Sequence, residues 1–478
     1  MYFEKTDNIN QKKRSDFAMK DKHNDNREIF ESKPVPKALT ELALPMIFGQ
    51  MIILIYSLAD TFYIGRTNNP LMVAGVSLLL PVFNISISVS HLFGIGGGTL
   101  ISRLMGAGKI DDAKKVSAFS FYMTIVFAGT FSLIMFIFME SALRLFGASN
   151  DTLIFAEQYT LCVIVIGAVP TILSMTLSNL LRSTGYAKQA GFGISMGGII
   201  NIFLDPLFMF VLMPEGLEVL GAGIATMLSN VITCSYFIIT IYRMKDNNIL
   251  SLSIKNISLS KENIGRIFYV GVPAAIAVFL FDLTYMVINR LASGYGDIPL
   301  AAVGIVLKAE RLPLNVGIGI CQGMMPLAAY NYSSGNFKRM RETVNFSRFA
   351  GLVFGFSSVI LYEIFAPYIM RIFIADVQTV ELGTKFLRAR SLATPFMFIC
   401  FHLVNFFQAV GHGFKALCLG SARWAIFNIP LLFIMNYIFG MYGIVWTQVL
   451  ADILMVIVSL IVYKKFEKGL EMQFTTKK

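Results

Sequence analysis

Apolar runs of about 20 residues recur along the whole chain, each long enough to cross a hydrocarbon core of roughly 30 Å as a helix. Within such a layer no water satisfies exposed peptide groups, so only helices or closed barrels can span it, and runs of this length select helices. Twelve segments fit, over roughly 38–65, 71–104, 113–140, 152–182, 188–213, 221–243, 263–293, 299–332, 340–365, 379–410, 415–438 and 441–463. Composition agrees: the chain is 55% hydrophobic and 14% charged, with a mean hydropathy of +0.66, whereas soluble domains carry about a quarter charged residues. The chain therefore reads as an all-α polytopic membrane protein. Pro81, Pro313, Pro326 and the glycines at 94 and 96–98 lead to the expectation that the second and eighth spans are broken or overlong.

The net charge of +11 does not mark a nucleic-acid binder, because the basic residues sit between apolar runs rather than on one face. Lys109, Lys114, Lys115, Lys338, Arg339, Arg341, Lys415, Lys464 and Lys465 follow even-numbered spans, while the alternate connections are poor in base. By the positive-inside rule both termini are expected in the cytoplasm of a multi-pass protein of the plasma (inner) membrane. The first 36 residues are polar and lack the short apolar core of a secretory signal. The five cysteines are odd in number, lie in or beside apolar segments and lack metal-ligand spacing, so they read as packing residues.

An internal repeat organises the chain. Pro45 pairs with Pro273 at an offset of 228; Ala74 with Ala301, Gly96 with Gly323 and Gly108 with Gly335 at 227; Asn179–Gly185 with Asn405–Gly411 at 226. Each half holds an even number of spans, so both enter the membrane in the same sense. The fold expected is two parallel six-helix repeats around a central cavity, related by a pseudo-two-fold along the membrane normal. The boundaries read as a tail over 1–37, an N-terminal lobe over 38–244, a linker over 245–262, a C-terminal lobe over 263–465 and a tail over 466–478.

Charges inside the spans are the candidates for function, since an ionisable group near the bilayer centre costs roughly 2.5–3.5 kcal/mol on insertion scales. Asn201 and Asp205 stand four apart, on one face of the fifth span, and Tyr56 and Asp60 do the same in the first. Thr226 lies near the start of the sixth. If these spans pack together, their carboxylate, amide and hydroxyl oxygens suit a hard cation such as Na+, and the same carboxylates could instead carry a proton. Asp282 in the seventh span is a candidate for a substrate or proton role. Lys308, Glu310 and Arg311 are expected to neutralise one another; Asp452 reads as a helix-packing residue, and Arg388 and Arg390 as snorkelling ones. No nucleophile–base pair or metal cluster stands out, so an enzyme is not expected.

The run Pro45–Gln50 followed by Leu58–Arg66 resembles the first helix of the multidrug and toxic compound extrusion (MATE) family. Ser102–Gly108, Leu145–Ala148, Leu180–Gly185, Asn201–Leu207, Gly323–Pro326 and Tyr330–Gly335 resemble it too, and Leu204–Phe208 looks most like its MepA-like, DinF-related bacterial branch. The resemblance spans about residues 38–465. It implies a secondary antiporter that exports amphipathic, mostly cationic drugs and dyes in exchange for Na+ or H+. Asp60, Asn201, Asp205 and Thr226 match the family's ion-coupling positions, and Tyr56 matches an accessory one. The NorM branch carries an acid in its tenth helix; here Phe398–Gln408 offers His402, Asn405 and Gln408 instead. No cofactor besides the coupling ion, no nucleic acid and a monomer in the lipid bilayer are expected. The alternative is a flippase or exporter of lipid-linked saccharides on a related fold, which would want a basic cavity.

Overall fold

The structure, a computed structural model, describes residues 27–244, 249–257 and 260–475. Most of the expected tail and parts of the linker (245–248 and 258–259) lie outside these. Among the described residues there are ten continuous helical spans and two bent pairs, which make twelve when each pair is taken as one span. They are α1 (Val35–Gly65), α2 (Pro70–Gly106), α3 (Ile110–Leu145), α4 (Asn150–Ile166 and Ala168–Ser183), α5 (Ala187–Leu212) and α6 (Glu218–Arg243). The second half repeats them as α7 (Lys261–Ser293), α8 (Asp297–Ser333), α9 (Phe337–Phe373), α10 (Val377–Ser391 and Thr394–Ala409), α11 (Gly413–Phe439) and α12 (Met441–Thr475).

The second and eighth spans are overlong, at 37 residues each, and neither bends sharply. α8 runs unbroken through Pro313 and Pro326 and is the most enclosed of the ten continuous spans, so its neighbours hold it straight. α2 has only a short interruption, at Leu78 and Leu79. The sharp breaks fall in α4, by 55° at Gly167, and in α10, by 47° beside Leu392 and Ala393. They occupy corresponding places in the two halves. Other repeat pairs behave alike as well: Gly108 and Gly335 close α2 and α8, and Gly185 and Gly411 close α4 and α10. All four have φ between 73° and 92°, a left-handed conformation that glycine adopts without strain.

An even number of crossings leaves both described ends of the chain at one end of the bundle, the terminal end. There the halves meet, α2 against α7 and α8 against α1. A Cβ at Gly96 would stand 2.5 Å from Ile267 O, and one at its repeat mate Gly323 would stand 2.6 Å from the Ala43 backbone. Gly271 against Leu92 and Gly319 against Ile47 extend the same seam, so backbones touch where side chains would otherwise hold the helices apart. All of these residues lie in the halves of their helices nearest the terminal end. The segment ahead of α1 adds a strap across the seam. Phe30 is fully buried and stacks on Tyr330 of α8, while its carbonyl accepts from Arg339 Nε at 2.7 Å and Asn331 Nδ2 at 3.2 Å. The linker packs on the first half instead: Ser251 N donates to Ser117 Oγ and Tyr122 OH to Leu252 O, both on α3.

Candidate functional site

The sequence-derived residues of the first half converge. α1 approaches α5 closely because α5 presents glycine at two levels: a Cβ at Gly191 would meet Pro45 O at 2.3 Å, and one at Gly198 would meet Ile52 Cγ2 at 2.6 Å and Tyr56 Cδ1 at 3.4 Å. Tyr56 thus lies against α5 one turn before Asn201, and Asp60 follows Tyr56 by one turn of α1. Asp205 is fully buried and Asn201 is 2% exposed. Asn201 Nδ2 donates to Asp205 Oδ1 at 3.2 Å and to Thr226 Oγ1 on α6 at 3.3 Å. Both amide protons are therefore used across two helices. The charge of Asp60 bears on Asp205, and both carboxylates lie within electrostatic reach of Tyr56 and Tyr159.

The remaining oxygens carry the chemistry. Asp60 Oδ1, Asn201 Oδ1 and Asp205 Oδ2 are buried without a hydrogen-bond partner. Among the described residues, neither Asp60 nor Asp205 forms an ion pair. Buried oxygens with spare lone pairs and no donor are a costly arrangement unless a cation or proton joins them. Sequence reasoning missed one member: Tyr159, on the first piece of α4, places its hydroxyl 3.5 Å from Thr226 Oγ1. Its one available signal was a hydroxyl-bearing ring at the edge of an apolar run, which rarely distinguishes a site from an interfacial residue.

The second half departs from expectation in three places. Glu310 does not pair with Lys308 or Arg311, both exposed; it accepts from Arg390 Nε on α10 at 2.7 Å. Arg390 is 4% exposed, so it does not snorkel, whereas Arg388 is exposed and lies on Glu363. Asp452 is more than a packing residue: it takes a two-pronged hydrogen bond from Arg423 at 2.7 and 3.1 Å. Two opposite charges in the consecutive spans α11 and α12 were the signal for that pair. His402 is fully buried with Nε2 2.7 Å from Ser347 Oγ, which ties α10 to α9, and Asn405 donates to the Phe401 carbonyl of its own helix. Asp282 stays apart from the first-half cluster; its Oδ2 is buried without a partner, and Arg311 is the base whose charge bears on it.

Comparison with known proteins fits this architecture. The MatE family model matches twice, over residues 45–207 and 273–434, one copy in each half. The multidrug export protein MepA of Staphylococcus aureus is 32% identical over 434 residues, covering 91% of this chain and 94% of the relative. MepA of Staphylococcus haemolyticus is 31% identical over 423 residues, covering 88% and 92%. A solved outward-facing multidrug resistance MATE family transporter of the MOP superfamily superposes with a TM-score of 0.88 at 22% identity, over 93% of this chain and 98% of that one. With twelve spans, a doubled family match and relatives aligned almost end to end, the chain belongs to the MATE family of membrane transporters.

Proposed function

We propose that this protein is a secondary active multidrug exporter that expels amphipathic, mostly cationic compounds in exchange for Na+ or H+ bound at Asp60, Asn201, Asp205 and Thr226. One observation carries the reading. Asp205 of α5 is fully buried and Asp60 of α1 is half-buried with its Oδ1 enclosed, and neither has a basic partner among the described residues, while Glu310 and Asp452 each hold an arginine. An unpaired carboxylate inside a membrane needs a cation or proton to become neutral, and the gradient of that ion supplies the work. The site lies in the half of α1 away from the terminal end, on the extracellular side if the termini are cytoplasmic as the loop charges indicate.

α1 supplies the coupling. It carries Asp60 towards one end and, towards the other, Ala43 and Ile47, which touch α8 across the seam. An ion that draws Asp60 towards Asp205 changes the tilt of α1 and so favours one packing of the seam over another. The linkage is reciprocal: a drug that favours the other packing weakens ion binding by the same factor. Tyr56 and Tyr159 border the site and orient its oxygens. Asp282, beside the exposed Arg311, is placed in a substrate or proton role outside the coupling centre. The protein works as a monomer in the plasma membrane with no resident cofactor.

Purified protein in vesicles, loaded with an ethidium-like dye, tests this. Imposed Na+ and H+ gradients are applied separately, and at least one should drive dye movement in the parent. Asp205→Asn should abolish that dependence while the protein still folds. Unchanged gradient-driven transport by Asp205→Asn would mean that the coupling ion binds elsewhere.

A further inference from the structure

Helices α5 and α11 correspond, beginning two residues after the paired glycines Gly185 and Gly411. The π-helical stretch Ala422–Asn428 inserts one residue into α11, so Asn428 falls at the position of Asn201, at an offset of 227. The two family matches end at the same spacing, at 207 and 434. Each asparagine also donates to the last span of its own half, though to residues at different repeat positions. Asn201 donates to Thr226 on α6, and Asn428 Nδ2 donates to Gln448 Oε1 on α12 at 2.9 Å. In both asparagines the amide oxygen is buried without a partner.

The acids differ. At the repeat offsets of 228 and 227, Asp60 and Asp205 become Ile288 and Leu432, each 1% exposed. The carboxylate of this second centre comes from α12: Asp452 Oδ2 accepts from Gln448 Nε2 at 2.7 Å, and both its oxygens accept from Arg423. The Arg423 guanidinium lies 4.2 Å from the Trp424 ring centre and 4.5 Å from that of Phe401, and the side chain is 2% exposed. Carboxylate, flanking amides and aromatic faces are what a site for a small organic cation contains.

We propose that the polar centre of the second half is a cation site whose occupant is part of the chain: the guanidinium of Arg423 sits on Asp452, where the first half takes its cation from solution. Its corollary, that the coupling ion binds only one half, rests on the function proposed above; the tethered-cation assignment does not. Removing the Arg423 side chain leaves a buried carboxylate and an aromatic slot matched to a free guanidinium ion.

The test uses full-length protein in detergent and methylguanidinium as the probe. Arg423→Ala should lower the thermal midpoint, and methylguanidinium at about 10 mM should restore a large part of the loss by binding the folded state. The parent and the double variant Arg423→Ala/Asp452→Asn should not respond. An equal response in single and double variants, or none in the single, overturns the assignment. Should Arg423→Ala fail to fold, Arg423→Met/Asp452→Leu replaces both partners with apolar groups. It should fold and keep the parent's gradient-driven transport, and loss of ion dependence there would show that the second centre takes the coupling ion. Failure of the first-half reading looks different: Asp205→Asn would keep its gradient-driven transport whatever Arg423→Ala does with methylguanidinium.

Discussion

Substitution of Gly323 by alanine tests how the two halves close on one another. The added methyl would stand 2.6 Å from both Cα and N of Ala43 and 2.7 Å from its Cβ. Carbon atoms rest about 3.5–4.0 Å apart, so α8 must withdraw from α1 by about 1 Å. Two of the three atoms in the way are backbone, which cannot rotate aside, and inserting a methyl into such a contact costs about 1–3 kcal/mol. That cost falls only on the arrangement in which the seam is shut. It should raise the population open at the terminal end by about 5–150-fold relative to the parent. Spin labels at Lys109→Cys and Lys338→Cys, exposed positions in different halves, would read the opening as a longer distance. Cys418 is the exposed native cysteine and is replaced by serine first; the other four are buried. Gly96→Ala, 2.5 Å from Ile267 O, should act in the same direction, whereas Gly304→Ala, with no heavy atom within 4 Å, should leave the distances unmoved. If Gly323→Ala folds and its distance distribution superposes on the parent's, the seam does not set the equilibrium and the reasoning fails.

Three further outcomes are expected. Glu310→Gln strands Arg390 in the interior and should cost about 3–5 kcal/mol of stability, read as a clear fall in thermal midpoint; an unshifted midpoint would contradict the pairing. Phe30→Ala empties a fully buried socket and should cost about 3–5 kcal/mol locally, so amides around residues 29–33 should exchange with deuterium faster than in the parent, and equal rates would deny the strap its role. Asp376 caps the first piece of α10, accepting from the Thr379 amide and hydroxyl at 2.8 and 2.7 Å, and these bonds hold its carboxyl below the usual range. A lowered carboxyl contributes stability above about pH 4 and loses it as pH falls through the folded value, so Asp376→Asn should be less stable than the parent at neutral pH and match it in acid.

The spans and the repeat were legible because membrane crossing imposes a length that any helix must meet, and because paired glycines such as Gly108 and Gly335 do the same backbone work twice. Asp60, Asn201 and Asp205 were legible for a related reason: a charge in an apolar run stands out against its neighbours. Partners were harder to read. Glu310 was matched with Lys308 and Arg311 by closeness in sequence, yet residues one or two apart on a helix point to different sides, and its real partner lies 80 residues away. Not every proline bends its helix: each interior one gives up a backbone hydrogen bond, but α8 is held on most of its surface and stays continuous through Pro313 and Pro326. The breaks at Gly167 and near Leu392 fall just ahead of Pro170 and Pro395, each in the first turn of the piece that follows, where a missing N–H costs no helical hydrogen bond.

The buried ring of Phe30 has a mechanical consequence for the helix it precedes. With its origin anchored in the opposite half, α1 behaves as a rod pivoting at that anchor, and Asp60 rides about 38 Å along it from Val35. A shift of about 1 Å at Asp60 then reaches Ile47 at roughly half amplitude, by simple proportion along the rod. Contacts as tight as those around Ile47 register a displacement of that size, so α1 turns a coarse movement at its tip into a fine adjustment near its root.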